Sequence, residues 1–261
     1  MKKTLYYILI AVAAAWLASC NEDDGISFDE EEYDATAHDA WNIDYDTTGS
    51  FGGHFYVDLG LSVMWATCNI DAKAPLESGS YFAWGEVKPK DSYSWDNYAF
   101  SDPKKKLTKY CFKKTSGSDD YVDDLTTLLP EDDAAVQNWG NGWRMPTNDD
   151  FEELRSDKCR WEWLSSNGVS YYKVTGPSGK SILLPACGCI NGHKRIMFMA
   201  NGCLWSSSLS GTTPEHAYEL TQYNSGYWKG SVDRFYGEPI RPVFDPQSLQ
   251  NDKTQKIKPT N

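Results

Sequence analysis

The stretch that most constrains the fold runs from Trp139 to Leu154 and reads WGNGWRMPTNDDFEEL. Gly140 and Gly142 allow backbone conformations that other residues resist, so the chain after Trp139 should turn sharply. Thr147 is predicted to cap a helix, because it precedes a turn rich in negative charge that suits the helix dipole. We therefore expect a tight turn followed by a capped helix, a corner around which a small domain can form.

Arg144 lies inside this corner, between Trp143 and Met145. An Arg among apolar residues usually has a fixed partner. We predict that its guanidinium makes charge-assisted hydrogen bonds to carbonyl or carboxylate oxygens, and that its role is structural.

The first 20 residues have the pattern of a bacterial lipoprotein signal peptide. Lys2 and Lys3 form a charged region, and residues 5–17 are apolar but too short to be read as a spanning helix. The run Leu17-Ala18-Ser19 before Cys20 resembles a lipobox, which implies cleavage before Cys20 and lipidation of its sulfur. The alternative is an ordinary secretory signal with a chance cysteine. Several acyl chains would give a stable membrane anchor, since each buried CH₂ contributes about 0.8 kcal/mol.

Residues 21–50 are predicted to be an acidic flexible tether. Between Asn21 and Asp46 there are eleven Asp or Glu residues and no Lys or Arg. Such a run repels itself and buries too little apolar surface to fold. The cluster Glu22-Asp23-Asp24 is similar to an export signal of some Gram-negative lipoproteins, which favours an outer-membrane protein that faces the cell exterior. The alternative is a solvated spacer without an address.

Short β-rich runs separated by turns fill residues 51–245. The runs 55–59 and 63–67 predict a hairpin, and so do 169–175 and 180–184, which flank the turn sequence Gly-Pro-Ser-Gly. With two short helices added, the pattern predicts a single α+β domain. Residues 246–261 are polar, lack aromatic side chains and are predicted to be a disordered tail.

Several sequence blocks, taken in order, carry a family resemblance. They are YVDLGLSVMWATCNI (56–70), YFAWGE (81–86), DDAAVQNWGNGWRMPTNDDFEEL (132–154), GKSILLPACG (179–188), LWSSSL (204–209) and IRPV (240–243). They resemble the FISUMP, or major paralogous, domain of bacterial surface lipoproteins. The resemblance covers residues 51–245 and implies a C-type-lectin-like domain of many short antiparallel strands and two short helices. It does not specify an activity, because a fold does not fix a function.

Six cysteines remain once Cys20 is assigned to the lipid anchor. An even number in an oxidising compartment favours structural disulfides. The family resemblance implies that Cys68 and Cys159 lie close together, so a Cys68–Cys159 disulfide is expected, although six cysteines allow many pairings. Cys187 and Cys189 are expected to reach different partners.

The sequence shows no catalytic constellation. Its four histidines lack metal-ligand spacing, and Glu238-Pro239-Ile240 lacks the side-chain oxygen that calcium-dependent lectins place there. Copper binding or redox chemistry by Cys187 and Cys189, as paired cysteines do in enzymes of the related fold, is weaker than a structural role. We therefore expect a protein that is not an enzyme, with no cofactor and no metal.

Aromatic side chains on polar segments are the remaining candidates for a ligand-binding site. Tyr93, Trp95 and Tyr98 lie in a polar stretch, and Tyr227 and Trp228 follow a glycine. Exposed rings of this kind can stack on a ligand, whereas the alternative is that they fill the core.

These patterns together favour a lipid-anchored surface protein that serves in ligand binding or adhesion. A glycan or a surface protein is the expected ligand, and the membrane is reached through the lipid. The net charge of −12 argues against nucleic acid as a partner. The first alternative is a structural or assembly component of a surface complex, and the second is an enzyme related to the formylglycine-generating enzymes.

The anchor hypothesis gives a direct prediction for Cys20. A Cys20→Ala variant should be soluble or remain unprocessed, because no thiol is left to accept the lipid. Fractionation of cells into membrane and soluble proteins measures this. If the variant still partitions with membranes as the unaltered chain does, the anchor hypothesis is wrong.

Overall fold

Short β-strands dominate the computed structural model of the protein, which describes residues 43–245. Within that range the strands are β1 Gly49–Phe51, β2 His54–Val57, β3 Met64–Ala66, β4 Trp143–Arg144, β5 Arg160–Ser166, β6 Val169–Thr175, β7 Ser181–Pro185, β8 Cys189–Asn191, β9 Lys194–Ile196, β10 Asn201–Leu209, β11 His216–Tyr223, β12 Gly226–Asp233 and β13 Val243–Phe244. The α-helices of the same range are α1 Ala134–Trp139 and α2 Asn148–Leu154. Single 3₁₀ turns lie at Trp95–Asn97, Ser118–Asp120 and Pro130–Asp132.

The strands form four sheets in which every strand pair is antiparallel. The first has the order β1-β2-β3-β13-β4, so the last strand lies between the third and the fourth. The other three have the orders β5-β6-β7, β10-β11-β12 and β8-β9.

The predicted α+β, C-type-lectin-like class is wrong, because the protein is mainly β. The two α-helices have only six and seven residues. Helices of two turns are too short to form a layer on a sheet, and these two instead flank the corner at strand β4. The fold is therefore built from sheets, with the helices as local connections.

Both predicted hairpins are confirmed. Strands β2 and β3 pair with Val57 opposite Trp65, and β6 and β7 pair with Tyr172 opposite Leu184. Strand β5 was missed as a strand, although Trp161 and Trp163 alternate along it. It pairs with β6 over its full length.

The corner has the predicted local structure. Helix α1 ends before Gly140, and both Gly140 and Gly142 have positive φ, at 86° and 102°. Thr147 caps α2: its side chain accepts a hydrogen bond from Asp150 N, and its own backbone N–H donates to Asp150 Oδ2. This reciprocal pair satisfies two backbone groups that the helix itself leaves open.

Asp133 joins helix α1 to the same corner, which the sequence did not indicate. Its carboxylate accepts hydrogen bonds from the backbone N–H groups of Ala135 and Val136, at the start of α1. It also accepts one from the N–H of Met145, directly after strand β4. One buried carboxylate thus holds the helix and the strand together.

Arg144 has the partner that the sequence predicted. Its guanidinium donates to both oxygens of Asp150, at 2.6 and 3.3 Å, and to the carbonyl of Met145 at 3.1 Å. Asp150 is also the residue that completes the cap with Thr147. The pair therefore fixes strand β4 against the start of α2.

A buried guanidinium, that of Arg241, makes hydrogen bonds beside the first sheet, close to strand β13. Arg241 donates from Nε to Asn69 Oδ1, and from its terminal nitrogens to the carbonyls of Ala66, Thr67 and Pro75. All the acceptors lie in or after strand β3. This network holds the approach to β13 against the chain that follows β3.

The main apolar core lies between helix α2 and the sheets. Phe151 and Leu154 are both buried in it, as their spacing predicted. The ring of Phe151 stacks on Trp65 of β3, with 5.8 Å between ring centroids. A second core around Trp84 and Trp205 lies on the other side of the corner.

The structure departs from the predicted domain start. Gly49 and Ser50 belong to β1, and Asp46 accepts a hydrogen bond from Ser181 N. The end of the predicted tether at 21–50 therefore packs on the domain. Cys20 with the predicted signal peptide at 1–20, the rest of the tether and the tail at 246–261 lie outside the described residues. Within residues 43–245, no helix meets the length and hydropathy needed to cross a membrane.

The expected Cys68–Cys159 disulfide is not formed. All six cysteines between residues 43 and 245 are free thiols. Cys159 packs in the main core, whereas Cys68 adjoins Thr67 near the Arg241 network. The two thiols thus serve as small buried or half-buried side chains in different surroundings.

Arg144→Ala should lower the free energy of unfolding by about 1–3 kcal/mol, because Asp150 loses its cation inside a nearly closed site. The side chain of Arg144 is 28% exposed, which keeps the effect below that of a fully buried pair. Thermal or urea unfolding measures it.

Arg160→Ala is the matched control. Arg160 also pairs with a carboxylate, that of Glu162, but its side chain is 67% exposed. Its loss should change stability by less than about 0.5 kcal/mol. Equal effects of the two substitutions would contradict the structural role of Arg144.

Candidate functional site

Tyr93 and Tyr98, two of the predicted ligand-binding residues, are core residues. Both are buried, and their hydroxyls donate hydrogen bonds to the carbonyls of Tyr81 and Trp84. Burial raises the pKa of both phenols. Their assignment to a binding surface is therefore wrong, because neither ring nor hydroxyl is available to a ligand.

Trp95 belongs to the same cluster and is half-buried. Its ring packs edge-on against Tyr98 and Phe235, with centroid distances of 5.5 and 5.3 Å. The Trp95 ring therefore packs at the edge of a small apolar cluster, near the protein surface.

Tyr227 and Trp228 are neighbours on strand β12 and point to opposite faces of the sheet. The ring of Tyr227 stacks on Trp161 at 3.8 Å, against the main core. The ring of Trp228 stacks on Tyr223 at 4.6 Å and is 43% exposed. Of the five predicted binding residues, Trp228 therefore offers the most accessible aromatic surface.

Strand pairing gives Trp228 its neighbours. Strand β12 is at the edge of the sheet β10-β11-β12, and Trp228 lies opposite Thr221 of β11. Thr221 lies opposite Cys203 of β10. Opposed residues share a face of a sheet, as do residues two apart, so Glu219 also lies on the face that carries Trp228.

A cluster of thiols and carboxylates forms on this face. Two isolated bridges lie on either side of Cys189. The first joins the chain to strand β10, and the second joins it to the segment before β13. The first bridge brings Cys189 beside Cys203, with which it shares a thiol hydrogen bond. The second brings it beside Glu238. Cys203 Sγ and one carboxylate oxygen each of Glu219 and Glu238 lie within 4.8 Å of one another.

Burial controls the charge of this cluster. It raises the pKa of Glu219, and burial together with the charge of Glu219 raises that of Glu238 well above its ordinary value. The hydrogen bond with Cys189, and then burial, raise the pKa of Cys203. Without a cation, burial therefore favours the protonated, uncharged forms of these groups. A metal ion would reverse that preference, since it stabilises thiolates and carboxylates.

Sequence reasoning missed this cluster because its members are spread from residue 189 to 238 and show no local ligand spacing. The one local signal was the pair Cys187 and Cys189, and the structure separates them. The Sγ of Cys187 lies 3.7 Å from Asn69 Nδ2, and burial raises the pKa of Cys187 to about 11. Of the two, Cys189 is the one that lies beside Cys203 of the cluster.

Comparisons of the chain with protein families, curated proteins and solved structures found no match. The FISUMP resemblance therefore stays a prediction. Function must be argued from the two features on this face of the sheet, the exposed ring of Trp228 and the buried thiol–carboxylate cluster.

Tyr98→Phe tests the core assignment. The substitution keeps the ring and leaves the buried carbonyl of Trp84 without its donor, so unfolding should become easier by about 1–2 kcal/mol. Tyr121→Phe is the control, because the Tyr121 hydroxyl donates to Asp123 Oδ2 on an exposed segment. It should unfold as the unaltered chain does. Unfolding curves that coincide for Tyr98→Phe and the unaltered chain would return Tyr98 to the candidate binding residues.

Proposed function

We propose that this chain is a lipid-anchored protein of the outer membrane, facing the cell exterior, whose β-rich domain binds a glycan through Trp228. The observation that carries the proposal is the exposed indole of Trp228, held in place by its stack on Tyr223. The protein acts in binding or adhesion and carries out no reaction in this role.

The physical basis is the preformed position of the ring. An aromatic side chain that is already ordered loses little conformational freedom when a ligand covers it, so more of the contact energy appears as affinity. The apolar faces of sugar rings match a flat indole, so the exposed side of the Trp228 ring can stack on a glycan.

The sequence supports the placement at the cell surface. The lipobox-like run before Cys20 and the acidic residues after it are typical of an exported lipoprotein. The FISUMP resemblance points to the same location. The alternatives are an assembly role in a surface complex and an enzyme related to the formylglycine-generating enzymes. Neither of them requires a glycan bound at the ring of Trp228.

Trp228→Ala should lower glycan affinity at least about tenfold, which corresponds to about 1.4 kcal/mol of lost contact. A glycan array with the mature protein in detergent identifies the ligand, and calorimetry then compares variants. The melting temperature should change little, because the ring is largely at the surface. Trp228→Phe should retain part of the affinity, since it keeps a flat apolar face.

Phe55→Ala is the matched control. Phe55 is 56% exposed on strand β2 of a different sheet, so its loss removes a similar apolar surface away from the site. It should leave glycan binding unchanged. Specific glycan binding that survives Trp228→Ala would contradict the proposed site. A protein that binds no glycan and instead co-purifies with another surface protein would favour the assembly role.

A further inference from the structure

The buried carboxyl groups of Glu219 and Glu238 have no cationic side chain paired with them among residues 43–245. Glu219 Oε1 accepts a hydrogen bond from the Thr221 hydroxyl at 3.0 Å. The second oxygen of Glu219 and Oε2 of Glu238 are both buried, and neither has a hydrogen-bond partner among residues 43–245. Two carboxylates this close cannot both be ionised in a dry site, so either a proton shared between them or a bound cation must offset their charge.

The thiols decide which cation fits. Hard cations such as Ca²⁺ and Mg²⁺ take oxygen ligands, whereas Zn²⁺ and related transition metals accept thiolate sulfur together with carboxylate oxygen. Cys203 Sγ lies within 4.8 Å of both carboxylates, and the Cys189 thiol hydrogen-bonds to Cys203. Cys189 lies outside this group of three but beside Cys203, and with it two sulfurs and two oxygens make up the four ligands that a tetrahedral ion requires.

We propose that Cys203, Glu219 and Glu238, with Cys189 as the fourth ligand, form a binding site for a divalent transition metal of the zinc class. The ligands come from strands β8, β10 and β11 and from the segment before β13. A metal bound there joins four parts of the chain that are distant in sequence. Binding displaces the protons of the thiols and any proton held by the two carboxyl groups, and these protons are released to solvent.

Gly230 makes room for the Glu219 ligand. It lies opposite Glu219 on strand β12. A Cβ at this position would lie 2.5 Å from Glu219 Oε1 and 2.4 Å from the hydroxyl of Thr221. Any side chain would therefore displace the carboxylate and the hydroxyl that orients it. Because outer groups of this kind set ligand orientation, Gly230 and Thr221 are positioning residues of the site.

A disulfide between Cys189 and Cys203 is the competing use of the two thiols. Both are free in the structure. Oxidation would consume the sulfur ligands and leave the facing carboxylates of Glu219 and Glu238 as they are. A metal, in contrast, satisfies sulfurs and oxygens at once, and this is why the cluster favours a metal.

The test uses the full mature chain, stripped of metal with a chelator under reducing, anaerobic conditions. Zn²⁺ is titrated in competition with a chromophoric chelator, and Co²⁺ serves as a spectroscopic probe. We expect one ion per chain, a sulfur-to-cobalt charge-transfer band, release of protons and a higher melting temperature of the zinc-loaded protein.

Cys203→Ser and Glu238→Gln should each weaken Zn²⁺ binding at least about a hundredfold. Cys187→Ser is the matched control, because Cys187 is an equally buried thiol two residues from Cys189 but lies outside the cluster. It should bind Zn²⁺ as the unaltered chain does. Gly230→Ala keeps every ligand atom but should still weaken Zn²⁺ binding, because the added methyl group displaces the Glu219 carboxylate. This variant therefore tests the geometry of the site without removing a ligand.

Several results would overturn the proposal. They are the absence of stoichiometric Zn²⁺ or Co²⁺ binding while all thiols are reduced, unchanged binding in Cys203→Ser, and an equal loss in Cys187→Ser. A Cys189–Cys203 disulfide in protein isolated from the cell surface would also overturn it. If the ligand variants fail to fold, the cobalt spectrum and stoichiometry of the unaltered chain and of Gly230→Ala decide the question.

Discussion

The way the last strand enters the first sheet depends on a buried positive charge, the guanidinium of Arg241. Burial lowers the pKa of Arg241 to about 10, so the group stays charged at neutral pH. Its cost of desolvation is offset by the carbonyls of Ala66 and Thr67 and by two further oxygens. Because these acceptors lie in or after strand β3, the charge holds the chain before β13 next to β3, where the last strand pairs in the first sheet.

The segment 237–240 just before Arg241 connects the remaining parts of the fold. Its backbone bonds, residue by residue, to Ile190, Phe82, Trp205 and Ile70. Each partner lies in a different part of the chain. Glu238 is thereby placed against strand β8 and near strand β10, with little freedom to move away from Glu219. The position of the thiol–carboxylate cluster follows from this backbone network, and the charge of Arg241 fixes its end.

The sequence predicted features that depend on neighbouring residues and failed where distant segments meet. The Thr147 cap, the Arg144 partner and the hairpins follow from local chemistry. Tyr98 was misassigned because it lies in a polar stretch of sequence, whereas its ring packs against Trp95 and Phe100 in the folded chain. The cluster at Cys203 arises from pairings between strands far apart in the chain, and no local spacing encodes such pairings. The predicted α+β class was wrong because the sequence pattern of two short, well-capped helices resembles that of longer helices that form a layer on a sheet.

Strand β12 forms an edge, and an edge strand can pair with a second copy of the same sheet. Gly230 places within this continuous strand a residue of low β-propensity, and Lys229 beside it adds a charge that discourages association. The residue that leaves space for the Glu219 carboxylate therefore also protects the exposed edge from aggregation. A larger side chain at position 230 would affect both the Glu219 carboxylate and the edge strand. Resistance to aggregation and the geometry of the site therefore depend on the same glycine.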